Sequence, residues 1–115
     1  MTEKQKLIIQ AIEEKLGADI VVIDFADSSV ADAFIIATGN VPSHTQAIID
    51  SVESKLAKEG YFPQGREGYR EANWILLDYG DIIVHVFLQQ DRQYYALETL
   101  WQDQKVTHIL EEEYA

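Results

Sequence analysis

The sequence predicts a single-domain α/β sandwich: one mixed β-sheet covered by helices, in the order αββαββα. Three observations predict it. Apolar residues recur at helical spacing over residues 2–16, 40–60 and from about Arg92 onward. Short β-branched apolar runs fall between these stretches. The last two such runs meet at Tyr79-Gly80-Asp81, as a hairpin would. The 115 residues fit one domain, and a chain of this size can bury roughly 65% of its unfolded surface, enough for a core without staples.

The elements follow in order. In "TEKQKLIIQAIEEKL", Thr2 and Gln5 have capping-box spacing, Leu7, Ile8, Ala11 and Ile12 form a stripe, and Gly17 supplies the stop. "DIVVIDF" (Asp19–Phe25) reads as a strand, and "ADSS" as a turn. "DAFIIATG" (Asp32–Gly39) is apolar nearly throughout, as expected of a strand buried on both faces. The stretch from Asn40 to Gly60 reads as the longest helix, with Ser43 and Gln46 as a second capping box and Ala47, Ile48, Val52, Leu56 and Ala57 on one face. Residues 61–73 hold one Pro and two Gly and read as a long connection. After the hairpin, Asp91 is expected to cap a helix with Tyr94, Leu97 and Trp101 on one buried stripe. In the tail, Val106, Ile109 and Leu110 have the spacing of a short extra helix.

Charge and composition narrow the function. Nine Lys and Arg stand against twenty Asp and Glu, a net charge of −11. Phosphate contacts need a basic stripe, and the basic residues here are scattered, so direct nucleic-acid binding is not expected. A basic protein partner is favoured, because opposite fields speed encounter. The chain has no Cys, which removes disulfides, thiolate metal sites and Cys nucleophiles. That suits a cytoplasmic protein. No apolar run approaches the ~20 residues of a membrane span, and no apolar stretch follows the basic start as in a secretory signal.

Candidate chemistry is sparse. His44, His85 and His108 fall on a helix start, a strand and the tail, with no i, i+4 pair, so neither a metal nor another cofactor is expected. Asp24, Asp27 and Asp32 could flank a Mg²⁺ site for phosphoryl transfer, but no D-x-D pair accompanies them, and a turn role for Asp27-Ser28-Ser29 is the better reading. No Ser nucleophile elbow is present, and nothing in the sequence calls for an enzyme. Aromatic residues carry the binding signal instead. Trp74, Tyr79, Tyr94, Tyr95 and Trp101 gather around the hairpin and the following helix. Trp and Tyr are common interface anchors, although Tyr94 and Trp101 lie on the stripe expected to be core.

The hairpin "NWILLDYGDIIVHVF" and the following "DRQYYALETLWQD" resemble the signature of the ribosomal silencing factor family, also called the RsfS or Iojap family. Trp74 opens the hairpin, Asp78 and Gly80-Asp81 frame its turn, Val84-His85-Val86 follows, and Arg92, Tyr95, Leu97, Glu98, Leu100 and Trp101 match the next helix. "ADAFIIATG" (Ala31–Gly39) and "REGYREANW" (Arg66–Trp74) fit as well, so the resemblance runs from about Ile9 to Asp103. It places a silencing-factor domain at residues 1–103 and a tail at 104–115. It implies an α/β sandwich of nucleotidyltransferase type without catalytic residues. It also implies a translational repressor that docks on ribosomal protein L14 of the large ribosomal subunit. Docking would block joining of the small subunit and lower protein synthesis when nutrients run short or in stationary phase. A homodimer off the ribosome is a further expectation. The partner-binding set expected here is Trp74, Leu76, Asp78, Tyr79 and His85. Strand alternation puts Trp74, Leu76 and Asp78 on one side, the row expected to dock, while Ile75, Leu77 and Tyr79 make the other row that could face the partner.

Overall fold

The computed structural model describes residues 1–110. One six-stranded sheet runs through it, built from β1 (Ala18–Asp24), β2 (Ala33–Gly39), β3 (Gly65–Glu67), β4 (Trp74–Asp78), β5 (Ile82–Leu88) and β6 (Lys105–His108). The spatial order is β3-β4-β5-β2-β1-β6. All neighbours are antiparallel except β2 and β5, which run parallel. Two long helices, α1 (Glu3–Glu14) and α2 (Pro42–Lys58), and two short ones, α3 (Gln89–Tyr95) and α4 (Leu97–Leu100), complete it. The mixed sheet with helices over it is the architecture expected.

Alternation divides the strands between two apolar layers. Ile20 and Val22 of β1, Ala33, Ile35 and Ala37 of β2, Ile75 and Leu77 of β4, and Val84 and Val86 of β5 pack with Ile8, Ile12, Ile48, Ile49, Val52 and Leu56 of the long helices. The alternate residues Val21, Ile23, Phe34, Ile36 and Phe87 form a second cluster with Leu97 on the opposite face. Strand β2 is buried along its whole length because both layers need it. Each fully buried Ile or Leu contributes about 1.5–3 kcal/mol relative to exposure.

The cap of α1 is as read: Thr2 accepts from the Gln5 amide, and the Gln5 side chain accepts from the Thr2 amide. The second capping box does not form. Pro42 takes the first helical position of α2, which makes Val41 the cap, with no side-chain bond. Thr45 then turns inward, and its hydroxyl lies 2.7 Å from the Ala72 carbonyl and 2.8 Å from the Pro42 carbonyl. On the face of α2, Ile49 is buried and Ala57 is not.

Three further expectations are corrected. The connection over residues 61–73 contains β3, a three-residue edge strand held beside β4. The last helix starts at Gln89, not after Asp91, with Leu88 as cap. It breaks at Ala96, which adopts φ 48°, ψ 53°. That break takes Tyr94 off the buried stripe, and it is 81% exposed. In the tail, Lys105–His108 pairs antiparallel with β1, so Val106 lies in a strand, β6, that extends the sheet past Asp103, and Ile109 and Leu110 follow it outside any helix. The remaining tail residues, 111–115, lie outside the described residues.

Gly68 fixes how β3 returns to β4. It adopts φ +78°, and a Cβ there would collide with the Trp74 carbonyl oxygen. Gly68→Ala is therefore expected to lower stability by about 2 kcal/mol or more, through backbone strain and the collision together. Urea denaturation should show a lower midpoint with an unchanged slope.

Candidate functional site

The hairpin's two rows have opposite fates. Ile75 and Leu77 are fully buried and Tyr79 is 6% exposed, all three within the layer beneath α1 and α2. Trp74, Leu76 and Asp78 alternate with them onto the other face and remain partly accessible. The alternative row of Ile75, Leu77 and Tyr79 is thus closed by the long helices. Tyr79 departs from the set expected to bind a partner: its hydroxyl is buried without a hydrogen-bond partner among the described residues, and burial pushes its pKa up.

Leu76 is the register partner of His85 and of Glu67, and Asp78 of Ile83 and Gly65. Paired residues point to the same face, so Glu67 adds a second carboxylate beside the row. Nothing in the sequence flagged Glu67, because β3 shows no strand pattern. Asp78 accepts the Gly80 amide at Oδ1, 2.7 Å away, which shapes the turn at the positive-φ glycine. Its second carboxylate oxygen has no bond among the described residues.

Trp74 is the end of an aromatic ladder that crosses the sheet. Its indole stacks on Phe87 at 4.9 Å between centroids, and Tyr95 lies against it at 4.5 Å. His85 sits 4.5 Å from Phe34, which meets Phe25 edge-on at 4.8 Å, and Phe25 meets Trp101 at 5.1 Å. Such offset and edge contacts each add about 0.5–1.5 kcal/mol beyond area burial. Tyr95 comes from α3, which is pinned by Arg92. That guanidinium is buried, donates to Thr38 Oγ1 of β2 at 2.8 Å and pairs with Glu98 at 3.3 Å. Trp101 is half-buried against this ladder, in line with the core role expected of it.

His85 belongs to the set expected to bind a partner. It is 3% exposed, beneath the row rather than on it. Trp74 Nε1–H donates to its Nδ1 at 3.0 Å. A donor at Nδ1 requires the neutral ring with its proton on Nε2. That Nε2 has no partner among the described residues. Burial alone lowers the His85 pKa from 6.5 to about 3.

The other candidates are held mostly by local structure. Asp24 takes a 3.4 Å bond from Gln5 on the helix face, and Asp27 accepts the Ser29 amide in the turn read from the sequence. His44 bonds the Asn40 amide and the Lys15 carbonyl. Among the described residues no group of three or more His, Cys, Asp or Glu is placed to hold a metal ion, and no helix is long and apolar enough to cross a membrane.

Because the folded His85 binds a proton only near pH 3 while the unfolded one does so near 6.5, its contribution is complete above pH 6.5 and is lost as pH falls toward 3. The loss between pH 8 and pH 5 should be about 2 kcal/mol. Denaturant titrations of the parent and His85→Leu should diverge by that amount, with the Leu variant lacking this component of the acid slope.

The family model described as "Ribosomal silencing factor during starvation" matches residues 1–114. The chain is 39% identical to "Ribosomal silencing factor RsfS" of Chromobacterium violaceum over 104 residues, 90% of this chain and 85% of that one. It is also 39% identical to the Bacillus subtilis protein of the same name over 99 residues, 85% of this chain and 84% of that one. A crystal structure of a Chromobacterium violaceum protein superposes with a TM-score of 0.84 at 38% identity, covering 94% of this chain and 91% of the other. A family match over residues 1–114, relatives 39% identical over most of the chain and a matching sheet make the chain a member of the ribosomal silencing factor family.

Proposed function

We propose that this protein binds ribosomal protein L14 on the large ribosomal subunit and, by its bulk, keeps the small subunit from joining, so that protein synthesis falls when nutrients are short. One observation carries the reading. The sheet face that the long helices leave uncovered presents an aromatic, an aliphatic and an acid in one row, Trp74, Leu76 and Asp78. This is the composition of a compact interface: a desolvated anchor at the centre and charge at the rim. Glu67 and Asp78, within a chain of net charge −11, suit a basic partner, and ribosomal proteins are basic.

No reaction is required. A folded 13.1 kDa body seated at a subunit interface excludes its neighbour by volume alone. The protein would act in the cytoplasm, where the subunits meet, as a single copy on the ribosome, with a homodimer as its form when unbound. His85 and Tyr79 take no direct contact in this scheme, since both are buried.

Trp74→Ala is expected to weaken binding to purified large subunits by about 2 kcal/mol, or roughly thirtyfold, the usual scale of an interface hot spot. Tyr79→Phe, just past the end of the same strand and on its closed side, should bind as the parent does. Sedimentation of each folded variant with large subunits measures this, and light scattering on adding small subunits measures joining. Undiminished co-sedimentation of Trp74→Ala would remove that residue from the interface. Normal subunit joining under saturating parent protein would refute the steric mechanism.

A further inference from the structure

We infer that His85 is a positioning residue: a neutral imidazole that tethers the Trp74 indole and holds it in the orientation in which it meets the partner. The inference rests on the docking role proposed for Trp74 and adds to it the group that prepares that side chain. Its basis is geometric. Trp74 is partly accessible at the start of β4, on the sheet face opposite the long helices. An indole so placed would ordinarily sample several rotamers. Here it is fixed on two sides and at its polar atom: Phe87 stacks on it, Tyr95 lies against it, and His85 Nδ1 receives its only N–H at 3.0 Å.

The chemistry of the tether is specific. Indole nitrogen can only donate, so the group opposite must accept. Imidazole can accept at Nδ1 only when neutral and protonated at Nε2. Burial of His85 at 3% exposure enforces the neutral form, and leaving Nε2–H without a partner is the cost of that choice. A fully apolar residue would pack at this position without an orphaned donor. What an imidazole offers here beyond packing is the acceptor for Trp74. An anchor already held in its bound orientation loses less freedom on contact, which raises affinity without any new contact.

Two variants separate the tether from simple packing. His85→Leu fills the space and removes the acceptor, while His85→Asn keeps a carbonyl oxygen near the Nδ1 position and removes the outer ring. The first readout is exchange of the Trp74 indole proton with solvent, followed by nitrogen-edited NMR and assigned with the Trp101→Phe variant. The second is affinity for purified large subunits. In His85→Leu, exchange should be about tenfold faster and affinity about tenfold lower, whereas His85→Asn should restore both to within about threefold of the parent. In the parent, the His85 nitrogen spectrum should show a bare Nδ1 and a protonated Nε2. Unchanged indole exchange in His85→Leu, or an Asn variant as poor as the Leu variant, overturns the inference. A freed indole with unaltered affinity overturns it too. In that event a silent Trp74→Ala would show that the docking reading had failed, and a damaging Trp74→Ala would show that only the tether's contribution had.

Discussion

The fold depends on one constraint: strand β2 must be apolar on both sides. It is the middle of the sheet, parallel to β5 and antiparallel to β1, and every one of its residues is buried. Its small and branched residues, Ala33, Ile35 and Ala37, seat α1 and α2, while Phe34 and Ile36 begin the opposite layer. The same strand thus carries the helical side that stabilises the domain and the aromatic side from which the proposed docking row rises. Thr38, the one polar side chain near its end, is taken up by Arg92, so that α3 is fixed to the centre of the sheet rather than to its rim.

That arrangement separates stability from recognition. The helical layer is aliphatic and closed, and the hairpin residues facing it have no access to a partner. The other layer is aromatic and only partly roofed, since Trp74, Leu76 and Asp78 on it remain partly accessible. A partly roofed aromatic face is an unfavourable surface to leave in water unless something else covers it. In the reading proposed here, the large ribosomal subunit is what covers it.

Much of this was legible in the sequence, and the gaps have physical causes. Thr2 and Gln5 announced the first helix, the unbroken apolar run of β2 announced a doubly buried strand, and the hairpin showed through its Gly80-Asp81 turn. The docking face was legible only as a choice of two rows, because Ile75 and Leu77 are as apolar as Trp74 and Leu76. What decides between them is the position of α1 and α2, which is tertiary. β3 carries no pattern since all three of its residues are exposed. β6 was misread because Val106, Ile109 and Leu110 fit a helical period over a stretch too short to test it. The break at Ala96 had no signal either, since alanine is a poor marker for a left-handed residue. The bond between Trp74 and His85 had no signal in the sequence: a histidine on a strand face reads the same whether its ring nitrogens are bonded or not.

The strand order has a practical corollary. β6 and β4 are separated by β5, β2 and β1, four inter-strand steps or about 19 Å across the sheet. A fluorophore coupled on β6 itself, for instance at the exposed Lys105, would therefore ride on the flank remote from the hairpin, where it could report on tumbling and occupancy without standing in the way of whatever the hairpin touches.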